Sequence, residues 1–144
     1  MKLVAYVILC PPLMHKAANK ITKRGEKMIR PMQASDIPRV AEIHVFGWRC
    51  AYRGIISDEH LFNNVLVSTR IERWMARFTT PVESDDSEKY VYDDGIIKAF
   101  LTISPCKDED KPDAFELGAI YVDPCMQGQG VGKALVAYCA QVAT

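Results

Sequence analysis

A glycine-rich hexapeptide near the end of the sequence has the residue types and spacing best suited to chemistry. It runs Gln127-Gly128-Gln129-Gly130-Val131-Gly132 and separates an apolar, β-type segment from a helical pattern. A loop of this kind leaves several backbone N–H groups unpaired at the start of a helix, where the helix dipole adds positive potential. Because glycine has no Cβ, a ligand can approach the backbone closely. The hexapeptide therefore predicts a phosphate-binding site.

Two common phosphate-binding patterns do not match this loop. The Rossmann pattern G-x-G-x-x-G needs a glycine where Lys133 stands, and the P-loop pattern needs Ser or Thr where Ala134 stands. The pattern that does match is Q/R-x-x-G-x-G/A after a strand, from Gln127 to Gly132. It resembles the acetyl-CoA signature of the GNAT superfamily of N-acetyltransferases, and the preceding Tyr121-Val122-Asp123-Pro124 is also similar to that family.

The resemblance implies acetyl transfer from acetyl-CoA, as co-substrate, to an amine. It implies that backbone N–H groups from Gly128 to Lys133 hold the pyrophosphate. Backbone at Ile120, Tyr121 and Val122 would align the pantetheine and polarise the thioester carbonyl where charge develops. The Lys133 side chain would add charge at the phosphates, although a solvated lysine on the first helical turn is the alternative.

Glu116 is the candidate general base under the same resemblance. It lies eleven positions before Gln127, the offset found in GNAT members that use a strand glutamate. A carboxylate there would accept the ammonium proton directly or through water, and burial would raise its pKa toward the working range. The alternative is a structural glutamate, exposed at the sheet edge or paired with an arginine. Cys125 and Cys139 are poor candidate nucleophiles because no histidine lies near them in sequence.

A second resemblance lies in the run W-R-C-A-Y-R-G-I, from Trp48 to Ile55. It is similar to small bacterial GNAT enzymes, in which this region borders the acceptor pocket. Trp48 and Tyr52 are also one helical turn apart, so they could equally be core residues. Both interpretations of this pair, pocket wall and core, stay open.

The elements that must position these residues begin at Met28. Met28–Met32 predicts a first strand, and Ser35 is the expected cap of a helix whose apolar stripe reaches Trp48. A further cap is expected at Ser57. Thr69–Glu72 resembles a capping box. An amphipathic core stripe follows it, formed by Ile71, Trp74, Met75 and Phe78.

The second half of the chain predicts the sheet that carries the loop. Lys89–Tyr92 and Ile96–Ile103 are expected strands, and Asp93-Asp94-Gly95 between them is a hairpin signal. Phe115–Val122 predicts another strand, and apolar residues at helical spacing follow from Val131. With the resemblance, this order predicts an α/β (α+β), GNAT-like fold in which helices flank a mixed, mostly antiparallel sheet.

The resemblance covers residues 28–144, which we expect to form one GNAT domain. GNAT enzymes usually continue after the loop-bearing helix with a strand, a helix and two closing strands, whereas the sequence ends at Thr144. We therefore expect a domain that is incomplete at its C-terminus and lacks one wall of the pantetheine cleft. A truncated gene product, a fragment and a domain completed by a partner, as in a homodimer, are the interpretations. The alternative function is a catalytically impaired CoA-binding or interaction module.

Residues 1–27 differ from the rest and form an N-terminal extension, with six basic residues and one acidic residue. Arg24-Gly25-Glu26-Lys27 has purine-rich codons directly before Met28, as a translated ribosome-binding site would have. Our hypothesis is that the natural start is Met28. The alternatives are a signal peptide, a lipid-modified Cys10, a membrane tether, and a helical or irregular extension.

Composition excludes several classes of function. Residues 28–144 contain 12 basic and 17 acidic residues, an unfavourable balance for binding nucleic acid. The five cysteines are scattered without C-x-x-C, and the three histidines lack H-E-x-x-H spacing, so neither a disulfide framework nor a metal site is expected. No apolar run approaches the roughly 20 residues of a membrane span. A cytoplasmic protein with reduced thiols is the expectation.

Overall fold

The structure is a computed structural model, and it describes residues 4–5, 28–80, 85–107 and 114–142. From residue 28 onward a strand, three helices, a hairpin, a further strand and a final helix follow one another, in the order that the sequence pattern predicts. Two short 3-10 turns, Ala34–Asp36 and Pro124–Met126, precede helices or loops. The elements in chain order are β1 (Val4–Ala5), β2 (Ile29–Pro31), α1 (Ile37–Ala51), α2 (Asp58–Asn63), α3 (Val67–Thr79), β3 (Glu88–Asp93), β4 (Ile97–Pro105), β5 (Phe115–Val122) and α4 (Val131–Val142).

The described strands form one sheet in the order β1-β5-β4-β3-β2. β2, β3, β4 and β5 are antiparallel to their neighbours, and the β3–β4 hairpin forms where the Asp-Gly signal predicts it. β1 is parallel to β5, with Val4 opposite Glu116 and Ala5 opposite Leu117. The mixed, mostly antiparallel sheet of the predicted GNAT-like fold is therefore confirmed.

Each face of the sheet is covered by helices, which gives two layers of core. On one face α4 packs its buried Val131, Leu135 and Cys139 against residues of β4 and β5. On the other face α1 and α3 pack around the buried side chains Phe100 and Tyr121. Each helix can pack in this way because its apolar residues recur at helical spacing and form one face that is buried against the sheet. No described helix has the length and hydropathy that crossing a lipid bilayer would require.

A β-bulge interrupts the pairing of β4 with β5. Thr102 is opposite Ala119, but the next residue of β4 is opposite Leu117, so Gly118 is the extra residue on β5. Leu117 faces α4, whereas Ala119 and Tyr121 face α1 and α3. Glu116, whose neighbour Leu117 faces α4, points to the α1 side, because successive side chains alternate in a strand.

Two of the three predicted helix caps are wrong. α1 begins at Ile37, and Ser35 lies inside the preceding 3-10 turn. There the Asp36 carboxylate accepts the Gln33 backbone N–H at 2.8 Å, and the guanidinium of Arg30 holds that carboxylate. The side chain that terminates the turn is thus fixed by a contact with β2.

The cap at Ser57 is confirmed, whereas the capping box at Thr69 is wrong. Ser57 Oγ accepts the backbone N–H of His60 at 3.3 Å, at the start of α2. α3 already begins at Val67, after Leu66, so Thr69 lies within its first turn. Burial of Val65 and half-burial of Val67 draw this segment into the core one turn earlier than the capping pattern indicates.

Candidate functional site

The glycine loop turns from the end of β5 into α4 through two left-handed residues. Gly128 has φ +77° and Gly130 has φ +81°. A side chain at either position would force an L residue into a strained backbone conformation, so the alternation of glycines has a geometric cause. α4 begins directly afterwards at Val131.

The backbone N–H groups of this loop point to a ligand site. Among the described residues, no hydrogen bond uses the backbone N–H groups of residues 128–132. The first bond of the helical ladder runs from the Ala134 N–H to the Gly130 carbonyl at 3.0 Å. Gln127 and Lys133 are exposed on either side of the loop. Five successive amides therefore lie open at the positive end of the α4 dipole, as the sequence predicts.

The C-terminal half of β5 also has an open edge. β1 pairs only with Glu116 and Leu117, and no strand within the described ranges pairs with the edge of Ile120, Tyr121 and Val122 opposite β4. The Asp123 N–H donates to the Lys98 carbonyl at 2.8 Å on the β4 side. Since backbone groups alternate between the two edges of a strand, those of Val122 face the open edge.

An ion pair that the sequence analysis did not find fixes the exit of β5. Buried Asp123 pairs with Arg39 of α1, and its Oδ1 accepts the Cys125 N–H at 2.8 Å. Arg39 also donates through Nε to the Ile97 carbonyl at 3.2 Å. One arginine therefore connects α1, β4 and the residue that precedes the loop. The only signal in the sequence was an aspartate next to the proline that ends the strand.

Trp48 and Tyr52 lie at the boundary between core and surface. Both side chains are half-buried, and their ring centroids are 4.8 Å apart. Trp48 Nε1–H donates to the Tyr121 hydroxyl oxygen at 2.9 Å, which connects α1 to the strand before the loop. The structure brings Trp48 together with both Tyr121 and Tyr52, and Tyr52 directly follows the last residue of α1.

His44 is a second residue that sequence reasoning missed. Its Nδ1 is buried, and it has no hydrogen-bond partner among the described residues. Burial, with a smaller contribution from the positive charge of Arg70, lowers the pKa of His44 to about 4. Its ring centroid lies 4.6 Å from that of Tyr121 and 6.3 Å from that of Trp48. The available signal was its position one helical turn before Trp48, on the same helix face.

Glu116 lies near the start of β5, half-buried and opposite Ser104 of β4. No ion pair with an arginine is formed by this carboxylate within the described part of the chain. It shares the α1 face of the sheet with Ala119 and Tyr121. The six residue-to-residue steps from Glu116 to Val122 correspond to about 20 Å of strand. A ligand that contacted both Glu116 and the glycine loop would have to lie along β5.

Comparisons with known proteins show which family the chain resembles. A family model described as the acetyltransferase (GNAT) family matches residues 57–144. The chain is 31% identical to the uncharacterized N-acetyltransferase YuaI of Bacillus subtilis strain 168 over 113 residues. That match covers 78% of this chain and 62% of YuaI, so the chain spans less than two thirds of this relative's length.

Solved structures show the same fold at lower identity. One is the PaiA N-acetyltransferase of Thermoplasma acidophilum in complex with coenzyme A, with TM-score 0.57 and 17% identity, covering 80% of this chain and 70% of that one. Another is a GNAT family acetyltransferase of Brucella melitensis in complex with acetyl-CoA, with TM-score 0.51 and 16% identity, covering 80% of this chain and 66% of that one.

Proposed function

The chain belongs to the GNAT family of acetyltransferases, and from that premise we propose that it transfers the acetyl group of acetyl-CoA to a primary amine of a small molecule or peptide. The observation that carries the proposal is the row of open backbone amides from Gly128 to Gly132 at the start of α4. The relatives whose structures hold coenzyme A or acetyl-CoA support the choice of co-substrate.

The loop would bind the pyrophosphate of acetyl-CoA. Successive N–H groups at a helix N-terminus provide donors and positive potential without a buried cation. The side chains of Gln127, Gln129 and Val131 are carried by this loop, but its backbone would make the phosphate contacts. Lys133 on the first turn of α4 would add charge at the same phosphates.

The pantetheine arm would bind along the open edge of β5, in the position that an additional strand would occupy. The amide-bearing arm can hydrogen-bond to the backbone groups of Ile120 and Val122 that face away from β4. In this arrangement the thioester lies beside the strand backbone around Tyr121. Backbone N–H groups there would stabilise the negative charge that develops on the carbonyl oxygen during attack.

Glu116 would act as the general base. The acceptor amine is protonated at neutral pH, and it must lose a proton before its nitrogen can attack the thioester carbon. Glu116 is half-buried on the face that carries Tyr121, and its carboxylate has no arginine partner among the described residues. It would accept the proton directly or through a water molecule. The neutral nitrogen then attacks the thioester carbon and the C–S bond breaks, and a second proton lost from the nitrogen neutralises the thiolate, so that coenzyme A leaves as the thiol.

Calorimetric titration with coenzyme A, followed by thiol release from acetyl-CoA with a panel of amines, tests the proposal. The Gly130→Ala variant should bind coenzyme A at least about tenfold more weakly, since it strains the loop at φ +81°. The matched control is Gly54→Ala, which imposes the same φ of +81° in a connection away from the loop. No heat with coenzyme A, or equal affinity in both variants, would contradict the phosphate site.

A second candidate function is CoA binding without catalysis. The open edge of β5 favours it, since no described strand forms the far wall of a cleft beside Val122. A second copy of the chain pairing with this edge, as in a homodimer, would supply that wall. Binding of coenzyme A without thiol release, unchanged in Glu116→Gln, would support the binding module over the enzyme.

We also place the protein in the cytoplasm. Four cysteines of the described residues are free, namely Cys50, Cys106, Cys125 and Cys139. Two of them are exposed, which suits a reducing compartment. Mass spectrometry of alkylated protein from fractionated cells would test this by showing reduced thiols in the cytosolic fraction.

A further inference from the structure

Arg70 of α3 is a half-buried cation without an acidic partner in the part of the chain that the structure describes. Its pKa is lowered by burial first, and then by the positive charges of Arg73 and Arg77 on the same helix. The guanidinium keeps part of its hydration but gains no ion pair, so a bound anion would add charge-assisted hydrogen bonds to it.

The guanidinium lies over the aromatic cluster beside β5. Arg70 Cζ is 5.4 Å from the centroid of the Trp48 ring, and its charge acts on both His44 and Tyr121. His44 is neutral near pH 7, so it adds no positive charge beside Arg70. The cation thus lies over Trp48, and its N–H groups have no hydrogen-bond partner among the described residues, so they can bind an anion.

Arg70 and Glu116 lie toward the same face of the sheet. Glu116, Ala119 and Tyr121 follow one another along this face of β5, and Arg70 contacts the cluster at the Tyr121 end. Arg70 and Glu116 form no ion pair with each other. Arg70 is therefore the positive group beside Tyr121, and Glu116 is a negative group further along the same face of β5.

Resting on the proposed function, we propose that the acceptor is an amine that also carries a carboxylate, with Arg70 binding the carboxylate while the amine lies at the thioester beside Tyr121 and its proton reaches Glu116 through water. The planar guanidinium matches a carboxylate through two parallel hydrogen bonds. The aromatic rings of Trp48 and Tyr52 would contact the apolar part of the acceptor. Arg70 is a substrate-binding residue in this assignment, and it takes no part in proton transfer.

Matched acceptors test the assignment. The panel pairs β-alanine, 4-aminobutyrate and 6-aminohexanoate with ethylamine, propylamine and pentylamine, which keep the amine and chain but lack the carboxylate. We expect lower KM values for the amino carboxylates. Arg70→Gln should raise those KM values at least about tenfold, since it removes a charge-assisted pair, and should leave the KM for acetyl-CoA unchanged.

The matched control is Arg73→Gln, which removes an exposed arginine from the same helix and should leave all of these KM values unchanged. Equal KM values for amino carboxylates and alkylamines, or no effect of Arg70→Gln, would overturn the inference. A rise in the KM for acetyl-CoA alone would also overturn it, because Arg70 would then serve the phosphates of coenzyme A.

A titration of the His44 ring by NMR separates this inference from the proposed function. Adding 6-aminohexanoate should raise the pKa of His44 in the wild type, because its carboxylate offsets the Arg70 charge, and should not do so in Arg70→Gln. If the protein binds coenzyme A but acetylates no amine, the proposed function fails, and the His44 response still decides whether Arg70 binds carboxylates. No response in the wild type would overturn the inference.

Discussion

Gly47 of α1 lies directly against the ring of Tyr121 on β5, and a Cβ at position 47 would stand 2.7 Å from Tyr121 Cδ1. That separation is shorter than real Cβ contacts, so any side chain at position 47 must displace the ring or the helix. The Tyr121 ring is also held by Trp48 and stacks on Phe100, with 5.3 Å between centroids. α1 can therefore approach the sheet closely only because residue 47 is glycine.

Gly47→Ala should destabilise the protein despite the better helix propensity of alanine. Overpacking typically costs about 1–3 kcal/mol, whereas replacing a helical glycine by alanine contributes about 1 kcal/mol. The matched variant is Gly132→Ala in α4, where the added Cβ would meet Val122 at an ordinary 3.5 Å. Urea unfolding should give Gly47→Ala a lower free energy of unfolding than Gly132→Ala. The reverse order would contradict the close contact between α1 at Gly47 and the ring of Tyr121.

Tyr121→Phe should lower the free energy of unfolding by about 1 kcal/mol. The variant removes the hydroxyl oxygen that accepts the Trp48 Nε1–H, and it leaves a half-buried donor without that partner. Tyr52→Phe serves as the control, since no hydrogen bond from that hydroxyl is present among the described residues. Chemical unfolding followed by tryptophan fluorescence compares the two, and equal stabilities would show that the bond contributes nothing.

Asp123→Asn should weaken both the fold and coenzyme A binding. It breaks the ion pair with Arg39 at a nearly buried carboxylate, and it loosens the residue that positions the loop. We expect a loss of about 1–3 kcal/mol in stability, since the arginine is only partly buried. Glu42→Gln removes an exposed partner of the same arginine and should cost less than about 0.5 kcal/mol. Thermal unfolding would measure the stability of both variants, and calorimetry would measure their affinity for coenzyme A. Equal stability and equal affinity in the two variants would show that the Arg39–Asp123 ion pair does not position the loop.

His44 should make stability depend on pH between about 4 and 6.5. Its pKa is about 4 in the folded protein and about 6.5 in an unfolded chain, so the unfolded state binds more protons within this interval. Stability therefore falls as pH drops from about 6.5 toward 4, by at most about 3 kcal/mol for this group. His44→Phe should flatten the profile in that interval, measured by urea unfolding at several pH values. The control is His60→Gln, at an exposed position on α2, and an unchanged slope in His44→Phe would disprove the assignment.

The parts of the molecule that follow from local patterns could be predicted from the sequence. β5 spans Phe115–Val122 and α4 begins at Val131, as alternation, turn residues and helical spacing indicate. The hairpin also forms at its Asp-Gly signal. The first residues of two helices were less predictable. The turn before α1 is fixed by the contact of Asp36 with Arg30, and α3 begins before Thr69 because Val65 and Val67 are drawn into the core.

The contacts that shape the candidate site could not be predicted in this way. The pairs Arg39–Asp123 and Trp48–Tyr121 join residues that are far apart in sequence and belong to elements whose relative placement no periodicity specifies. The environment of His44 depends on four rings, one from the next turn of its own helix and three from three other elements. Only the motif residues around Gly128 and Gly130 carry their own local signal.

The extra residue at Gly118 changes which side chains of β5 lie on the same face of the sheet. Glu116 and Tyr121 are an odd number of positions apart, so a regular strand would send them to opposite sides of the sheet. With the bulge they stand on one side. Deleting that single glycine would rotate the carboxylate into the layer beneath α4 and leave Tyr121 where it is. A relative with a one-residue gap here would therefore turn the residue equivalent to Glu116 away from the face that carries Tyr121.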